Sequence, residues 1–399
     1  MSANNPRLRS SSDPHVVVIG AGYAGALAAN RLQQNRDIQI TIINPRPVFV
    51  ERVRLHEFVA GSGDATVDLA DLLGERVHLI VDTATRINAA ARTVELESGS
   101  QVSYDYLVYA VGSTGTVPEG VRGARAHAYP ISELEQAERL RAAVALLPKN
   151  APICVVGGGL TGIETASELA EQRPDAKVSL LCGGILAPSV GEKARASVAR
   201  QLTRLGVAVE DDAVVAEVLA DRVRLSDGRS LPSGVTVWTA GFGVPDLAVR
   251  SGLTTDSIGR LVTDETLTSV DDPWIIGAGD ASAPAGPALR MSCQAAMPLA
   301  ARATSTVLAR IAGTEVNVLN QSFVGSNISI GRRHGTIATA RHDDSPRGLY
   351  IGGWLAAVIK EMVCATVVKQ IAKESRKPGS YRWPGANKRP DAVAPTPAG

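Results

Sequence analysis

The chain has few cysteines and few aromatic residues, and its charges nearly cancel. Its four cysteines are far apart in the sequence, with no C-x-x-C or C-x4-C pair; they are Cys154, Cys182, Cys293 and Cys364. This spacing argues against a disulfide scaffold and against a cysteine zinc site, and no metal site is predicted. A redox-active pair of closely spaced thiols is also excluded.

No long apolar run and no charged tract marks the termini. A formal net charge of +1 over 399 residues argues against a nucleic-acid partner bound through a global field. Residues 1–14 are polar with no apolar segment behind them, which predicts a disordered lead, no secretory signal and a cytoplasmic protein. Residues 383–399 are rich in proline, alanine and glycine and are predicted to be disordered. The length and the 45% hydrophobic content predict roughly two to three globular domains.

Two segments repeat the pattern G-x-G-x-x-G, each after an apolar run and before a helix-like stretch. In such a turn the first glycine permits a tight bend, the second lets the backbone approach a diphosphate, and the third lets the helix pack on the strand. The diphosphate then meets free amide groups at the helix N-terminus. One copy could be an ordinary turn, but two copies predict two bound dinucleotides. The predicted contacts are Gly20, Gly22, Tyr23, Ala24 and Gly25, and Gly157, Gly159, Leu160, Thr161 and Gly162.

Further cofactor contacts are predicted where other apolar strands end. Asn44 stands where an acidic residue often holds a ribose hydroxyl, and it can form hydrogen bonds without a charge. Asp280, at a strand-to-helix junction, could bind cofactor hydroxyls or could cap a helix. Arg52 belongs to a polar cluster that either contacts the cofactor or is a solvated loop. The remaining candidates at glycine turns are Ala110, Gly112, Gly241 and Gly279.

With these motifs in order, residues 15–315 resemble the flavoproteins that have two dinucleotide-binding domains. The specific likeness is to type II NADH dehydrogenases and to apoptosis-inducing-factor-like oxidoreductases. Four segments carry it: VVVIGAGYAGALAA, YDYLVYAVGS, VVGGGLTGIETASELAE and WIIGAGDAS. The resemblance implies an α/β protein with two Rossmann-like, three-layer domains. An FAD domain (15–120 and 250–318) would contain an inserted NAD(P)H domain (121–249), followed by a small α+β segment (319–382).

The same resemblance implies chemistry. One non-covalent FAD would receive a hydride from NADH or NADPH and would pass electrons to an acceptor, foremost a quinone. Which nicotinamide is used stays open, because the second unit's strand ends in Cys182, with neither a carboxylate nor an arginine. By the likeness Asp280 contacts the ribityl chain, and the catalytic candidates are Glu164 and Gln294. Glu164 could instead lie on a solvated helix face, and Pro298 departs from the second glutamine of the quinone-reducing relatives.

The C-terminal segment predicts two short strands between Phe323 and Ala340 and an apolar helix over 349–373. Between residues 360 and 382 there are six basic and two acidic residues. Such a helix could lie on the anionic inner surface of a membrane, with residues 349–382 in contact with the lipid. The alternative is a core helix or one that forms a homodimer.

Three other functions share these motifs. The chain could reduce a soluble protein such as a ferredoxin, or it could be a slow-turnover redox sensor. The third is a monooxygenase, for which this sequence has no fingerprint beyond the shared glycines.

Overall fold

The computed structural model describes residues 13–286, 289–319 and 321–383. Its helices are α1 (Tyr23–Leu32), α2 (Leu55–Ala60), α3 (Leu69–Leu72), α4 (Ala124–His127), α5 (Leu134–Ala145), α6 (Leu160–Gln172), α7 (Glu192–Arg204), α8 (Leu247–Arg250), α9 (Cys293–Ala312) and α10 (Trp354–Arg376). Two 3₁₀ turns cover Arg52–Arg54 and Gly279–Ala281. Disorder was predicted for residues 1–14 and 383–399, and all of these except residues 13, 14 and 383 lie outside the described residues; Trp383 packs against the core of the first sheet.

The strands of the first half are β1 (His15–Ile19), β2 (Gln39–Asn44), β3 (Val48–Val50), β4 (Thr66–Asp68), β5 (Val77–Val81), β6 (Ala84–Asn88), β7 (Thr93–Leu96), β8 (Gln101–Ser103), β9 (Tyr106–Tyr109), β10 (Thr114–Gly115), β11 (Ala128–Pro130), β12 (Pro152–Val156) and β13 (Lys177–Leu181). Those of the second half are β14 (Ala208–Glu210), β15 (Val215–Val218), β16 (Arg222–Leu225), β17 (Ser230–Pro232), β18 (Val235–Trp238), β19 (Phe242–Gly243), β20 (Leu261–Thr263), β21 (Ile275–Gly277), β22 (Ser282–Pro284), β23 (Gly325–Ile330), β24 (His334–Ala340) and β25 (Pro346–Gly353).

The first large sheet is parallel, with strand order β21-β9-β1-β2-β5. Its central strand is apolar at every position from Val16 to Ile19, as expected for a strand buried on both faces. Val16 and Val18 pack with α1 and α9, whereas Val17 and Ile19 pack against the antiparallel sheet β6-β7-β8. The unit therefore has three layers, with helices on one face and a small sheet on the other.

The second large sheet repeats this plan with strand order β11-β18-β12-β13-β14, again parallel. Ile153 and Val155 pack with helices α5, α6 and α7, and Cys154 and Val156 face the antiparallel strands β15 and β16. The two units are joined by the short antiparallel pair β10 and β19. The predicted α/β class with two Rossmann-like units is confirmed. The predicted domain bounds stay predictions.

The C-terminal segment forms the antiparallel sheet β23-β24-β25 and the long helix α10. The predicted pair of strands between Phe323 and Ala340 is present, but the helix begins at Trp354 and not at Leu349. Residues 346–353 form a third strand because they pair with β24. This pairing is a tertiary contact, which the local sequence does not reveal. Among the described residues, no helix combines the length and apolar character needed to cross a bilayer.

The end of α10 is fixed to the first unit by the fully buried Glu374. Its carboxylate forms an ion pair with Arg31 of α1 at 3.0 Å. It also accepts hydrogen bonds from the backbone amides of Gly379 and Tyr381 and from the hydroxyl of Ser380. These contacts hold the C-terminal segment against the helix that follows the first glycine turn.

Candidate functional site

The first glycine turn connects β1 to α1 and depends on two glycines. A Cβ at Gly25 would lie 1.7 Å from the carbonyl oxygen of Gly20, so only glycine allows α1 to pack this closely. Gly20 has φ +94°, a left-handed conformation, and a Cβ there would also meet the Ala110 carbonyl at 2.5 Å. Gly22 is different, because a Cβ on it would meet nothing within 4 Å.

The second glycine turn, between β12 and α6, reproduces this geometry. A Cβ at Gly162 would lie 1.8 Å from the Gly157 carbonyl oxygen, and Gly157 has φ +122°. Gly159, like Gly22, has open space around it. The backbone angles of Gly22 (φ −75°, ψ −165°) and Gly159 (φ −78°, ψ −178°) nearly coincide. The internal duplication therefore extends to the individual glycines.

Both helix N-termini fit a dinucleotide diphosphate. Gly22 and Gly159 are the N-cap residues of α1 and α6, and neither helix has a side-chain cap for its first amides. Because these amides lie beside the open space at each glycine, they can donate to phosphate oxygens. Leu160 and Thr161 form the first turn of α6. Tyr23 and Ala24 begin α1, where the Tyr23 ring packs edge-on against Phe49 at 5.1 Å.

The other predicted cofactor residues converge on the same sheet edges. Ala110 and Gly112 follow β9, and Gly279 follows β21, so both segments end beside Gly20 at the carboxyl edge of the first sheet. A Cβ at Gly279 would contact the Cβ of Ala24 at 2.9 Å. Gly241 follows β18 at the corresponding edge of the second sheet. Ligands of open α/β sheets bind at such edges.

Asn44 ends β2 and is buried beside the first turn. Its Oδ1 accepts from the backbone N–H of Ala21 at 2.9 Å, and its Nδ2 donates to the carbonyl of Arg46 at 2.7 Å. The side chain therefore holds the glycine turn in place. Its predicted contact with a ribose stays a prediction.

Arg52 and Asp280 are connected through Ser113, which follows β9. Arg52 Nη1 donates to the carbonyl and the hydroxyl of Ser113 at 2.6 and 3.0 Å, and the Ser113 hydroxyl donates to Asp280 Oδ2 at 2.7 Å. The other oxygen of Asp280 accepts from the backbone N–H of Ser292, the N-cap of α9. Burial lowers the pKa of Arg52, and the nearby Asp280 opposes that shift. Arg52 is thus built into the protein and is not part of a solvated loop.

Glu164 is buried at the junction of α6, α10 and the C-terminal sheet. Its Oε1 accepts from Lys360 Nζ at 2.7 Å and from the backbone N–H and hydroxyl of Ser329 at 3.1 and 3.2 Å. The Ser329 hydroxyl also lies 3.2 Å from Nε2 of the buried His56. Burial would raise the pKa of Glu164, but Lys360 and His56 together hold that pKa below its usual value.

These contacts exclude a solvated position for Glu164. They also remove Lys360 from the six basic residues that were expected to face a membrane surface, because its side chain is only 12% exposed and lies against Glu164 and the Asn327 carbonyl. The sequence analysis named Glu164 as a candidate but missed Lys360 and Ser329 as its partners. The available signal was the Lys360–Glu361 pair in the otherwise apolar first half of the helix.

Gln294 lies elsewhere, at the second residue of α9, where its Oε1 is 3.5 Å from Arg290 Nη2. Pro298 lies inside α9 without ending it. Since proline has no N–H, the carbonyl of Gln294 loses its usual helical donor. No hydrogen bond between described residues joins Gln294 to Glu164, so its catalytic role stays a prediction.

Glu168, one turn after Glu164, is fully buried and accepts a hydrogen bond from the Ser62 hydroxyl. Burial raises its pKa to about 7. Since the folded protein then binds a proton more tightly than the unfolded chain, ionisation of Glu168 costs stability as the pH rises from about 4.3 towards 7. We expect Glu168→Gln to remove a decline of about 3 kcal/mol in the free energy of unfolding over that range. Urea unfolding of both proteins across this pH range measures it, with the exposed Glu138→Gln as control. Parallel pH curves for the wild type and Glu168→Gln would contradict the expectation.

Fold and site together define a pyridine-nucleotide oxidoreductase. A family model described as pyridine nucleotide-disulphide oxidoreductase matches residues 14–305, and the chain belongs to this family. Its cofactors are FAD and NAD(P)H. The chain is 30% identical over 383 residues to an NADH dehydrogenase-like protein of Mycobacterium tuberculosis, covering 89% of this chain and 92% of that one. It is 26% identical over 397 residues to the type II NADH:quinone oxidoreductase of Staphylococcus epidermidis, covering 87% and 93%.

Two solved structures show the same fold. The sulfide:quinone oxidoreductase of Aquifex aeolicus matches with a TM-score of 0.75 at 19% identity, covering 92% of this chain and 93% of that one. The NDH2 of Plasmodium falciparum in complex with NADH matches with a TM-score of 0.75 at 14% identity, covering 92% and 99%.

Proposed function

We propose that this protein is an NAD(P)H dehydrogenase that reduces a quinone at a membrane surface. The observation that carries the proposal is the place of α10. One side of this helix brings Lys360 to the buried Glu164, while other positions of the same helix expose apolar side chains. A lipid-soluble acceptor entering along the helix would meet an ionised, hydrogen-bonded carboxylate.

The chain's own residues have distinct tasks in this reaction. When bound, FAD would supply the redox chemistry that connects the reduced nicotinamide to the acceptor. The two glycine turns orient the dinucleotides, since each offers helix amides to one diphosphate. Glu164 is the anion of the buried ion pair with Lys360, and its Oε1 already accepts hydrogen bonds from Ser329 and Lys360. Its Oε2 receives no hydrogen bond from the described residues and is the oxygen available to an acceptor.

The exposed surface of α10 divides into two parts. Its first half exposes Trp354 (69%), Val358 (51%) and Met362 (58%), among other apolar residues. Its second half and the residues after it expose basic side chains, namely Lys369, Lys373, Arg376, Lys377 and Arg382. An apolar face beside exposed cations suits the boundary of an anionic membrane, where quinones dissolve.

The acceptor is tested with the purified protein. It should be yellow, and anaerobic NADH or NADPH should bleach the flavin band. Steady-state rates with a short-chain quinone, ferricyanide, ferredoxin and oxygen then identify the acceptor. Failure of both nicotinamides to bleach the flavin would overturn the dehydrogenase. A preference for ferredoxin over all quinones would overturn the quinone and favour a protein acceptor. A long-lived reduced complex with slow turnover would favour a sensor.

The membrane contact is tested with the triple variant Trp354→Ser, Val358→Ser, Met362→Ser. We expect it to sediment less with anionic vesicles and to lose most of its activity with a long-chain quinone dissolved in them. Activity with a soluble short-chain quinone should be retained, because the buried site is unchanged. Val249→Ser removes a similarly exposed apolar side chain (53%) from another surface and is the control. Unchanged vesicle binding in the triple variant, with a shift from dimer to monomer, would instead identify the helix as a subunit interface.

A further inference from the structure

A cavity lies at the outer edge of the second sheet. It has a volume of about 490 Å³ and is formed by the end of β10 and the segment after it, by α4 and β11, and by α5. Strand β11 is the edge strand of its sheet, whereas the second glycine turn follows β12, two strands further in. None of the residues predicted to bind FAD or NAD(P)H lines this cavity. The two dinucleotides therefore leave it unassigned.

The charged residues that line the cavity are both cations, Arg125 and Arg139. Arg125 forms an ion pair with Glu119 at 3.0 Å, but both side chains are largely exposed (71% and 86%), so this pair is weak. Arg139 forms no hydrogen bond or ion pair with any residue that the structure describes. Its guanidinium is therefore available to an anion, and the paired N–H groups of arginine match the oxygens of a phosphate.

The cavity also contains polar groups without partners. Gln136 lines it, and its Oε1 is buried but receives no hydrogen bond from the described residues. A Cβ placed on Gly115 would lie 4.0 Å from this oxygen, so Oε1 lies beside the end of β10. The hydroxyls of Thr116 and Tyr129 likewise have no partner within the described part of the chain. A buried acceptor without a donor is costly to the fold, and an N–H group of a ligand would remove that cost.

The rest of the lining suits a flat ring. Val117, Ala126 and Ala128 are apolar, and Tyr129 and Pro130 add two ring surfaces. Apolar walls with a few polar groups, in a volume of roughly 300–1,000 Å³, are typical of sites that bind small molecules. The cavity therefore offers cations for an anionic group, apolar walls for a ring and an acceptor for a ring N–H.

We propose that this cavity binds a nucleoside monophosphate, with the phosphate at Arg139 and Arg125 and an amino group of the base at Gln136 Oε1. The bound nucleotide would contact residues 115–117, which lie on the connection from β9 to β11, and also α5 of the second unit. It would therefore bridge the second unit and the segment that leads into it. The inference does not depend on the quinone, because binding at this site involves no electron transfer.

AMP tests the proposal, since adenine has an amino group that can donate. Calorimetry of FAD-loaded protein should show one AMP per chain, with the same affinity when the protein is saturated with NAD⁺. Arg139→Gln should weaken AMP binding about tenfold or more, the loss expected of a charge-assisted hydrogen bond. Gln136→Leu should weaken AMP binding but not the binding of ribose 5-phosphate, which has no base. Arg204→Gln removes an exposed cation from α7 and is the control.

Hydrogen exchange locates the bound nucleotide without a measurement of activity. AMP should protect backbone amides of residues 115–117 and 124–129, and it should leave those of α6 unchanged. Displacement of AMP by NAD⁺ would overturn the proposal, because AMP would then occupy a dinucleotide site. Equal affinities in wild type and Arg139→Gln, or no binding at millimolar AMP, would also overturn it. Ribose 5-phosphate that binds as tightly as AMP would overturn the contact between the base and Gln136.

Discussion

Gly22→Ala is expected to give a folded protein that does not retain FAD. Alanine fits the backbone, since φ is −75° and an added Cβ meets no atom of the chain within 4 Å. The same methyl group occupies the space at the N-terminus of α1 that a diphosphate needs. We expect FAD affinity to fall about 100-fold, which corresponds to about 2.8 kcal/mol. Flavin absorbance after gel filtration and titration of the apoprotein with FAD measure the loss.

Three further glycine variants make this result specific. Gly159→Ala should remain yellow but bind NADH about 100-fold more weakly, since its glycine has the same geometry in the second unit. Gly25→Ala should fail to fold, because its Cβ would lie 1.7 Å from a carbonyl oxygen. Gly120→Ala is the control, because its Cβ would also meet nothing within 4 Å and Gly120 belongs to neither glycine turn. Wild-type FAD content in Gly22→Ala would show that the diphosphate lies elsewhere.

The glycine turns at the carboxyl edges of both sheets could be predicted because their signals are local. An apolar run followed by glycines at fixed spacing specifies a strand, a turn and a helix within about fifteen residues. Gly20, Gly157 and Asp280 were therefore found without knowledge of the tertiary structure. The helix at 349 was misplaced because an apolar segment is compatible with either helix or strand. The pairing of residues 346–353 with β24 decides between them.

The partners of Glu164 could not be predicted because they are distant in the sequence. Lys360 follows Glu164 by 196 positions, and Ser329 follows Glu164 by 165 positions. His56 precedes Ser329 by 273 positions. No spacing rule links such residues, and a lysine in a sequence is ordinarily expected at the protein surface. Its burial follows from the packing of α10 against β24 and α1, which the buried pair of Glu374 and Arg31 helps to fix.

Removing the charge of Lys360 is expected to destabilise the protein strongly. Lys360→Met keeps the length of the side chain but leaves Glu164 as a buried, uncompensated anion. Loss of one partner of a buried ion pair costs about 3–5 kcal/mol. We expect the free energy of unfolding to fall by about 3 kcal/mol at neutral pH. The double variant with Glu164→Gln should regain much of this, since both charges are then absent. Urea unfolding in excess FAD provides the double-mutant cycle.

The pH dependence distinguishes this charge effect from lost packing. In the wild type the pKa of Glu164 is lowered, so its contribution to stability is complete above its unfolded pKa of about 4.3 and is lost as the pH falls through the lower folded value. In Lys360→Met the pKa of Glu164 rises, because burial is no longer opposed by the lysine. The variant's deficit should therefore shrink as the pH approaches about 4, where Glu164 becomes protonated. Lys369→Met removes an exposed cation from the same helix and should show no such dependence. A deficit that is constant with pH would mean that Lys360 stabilises α10 by packing alone.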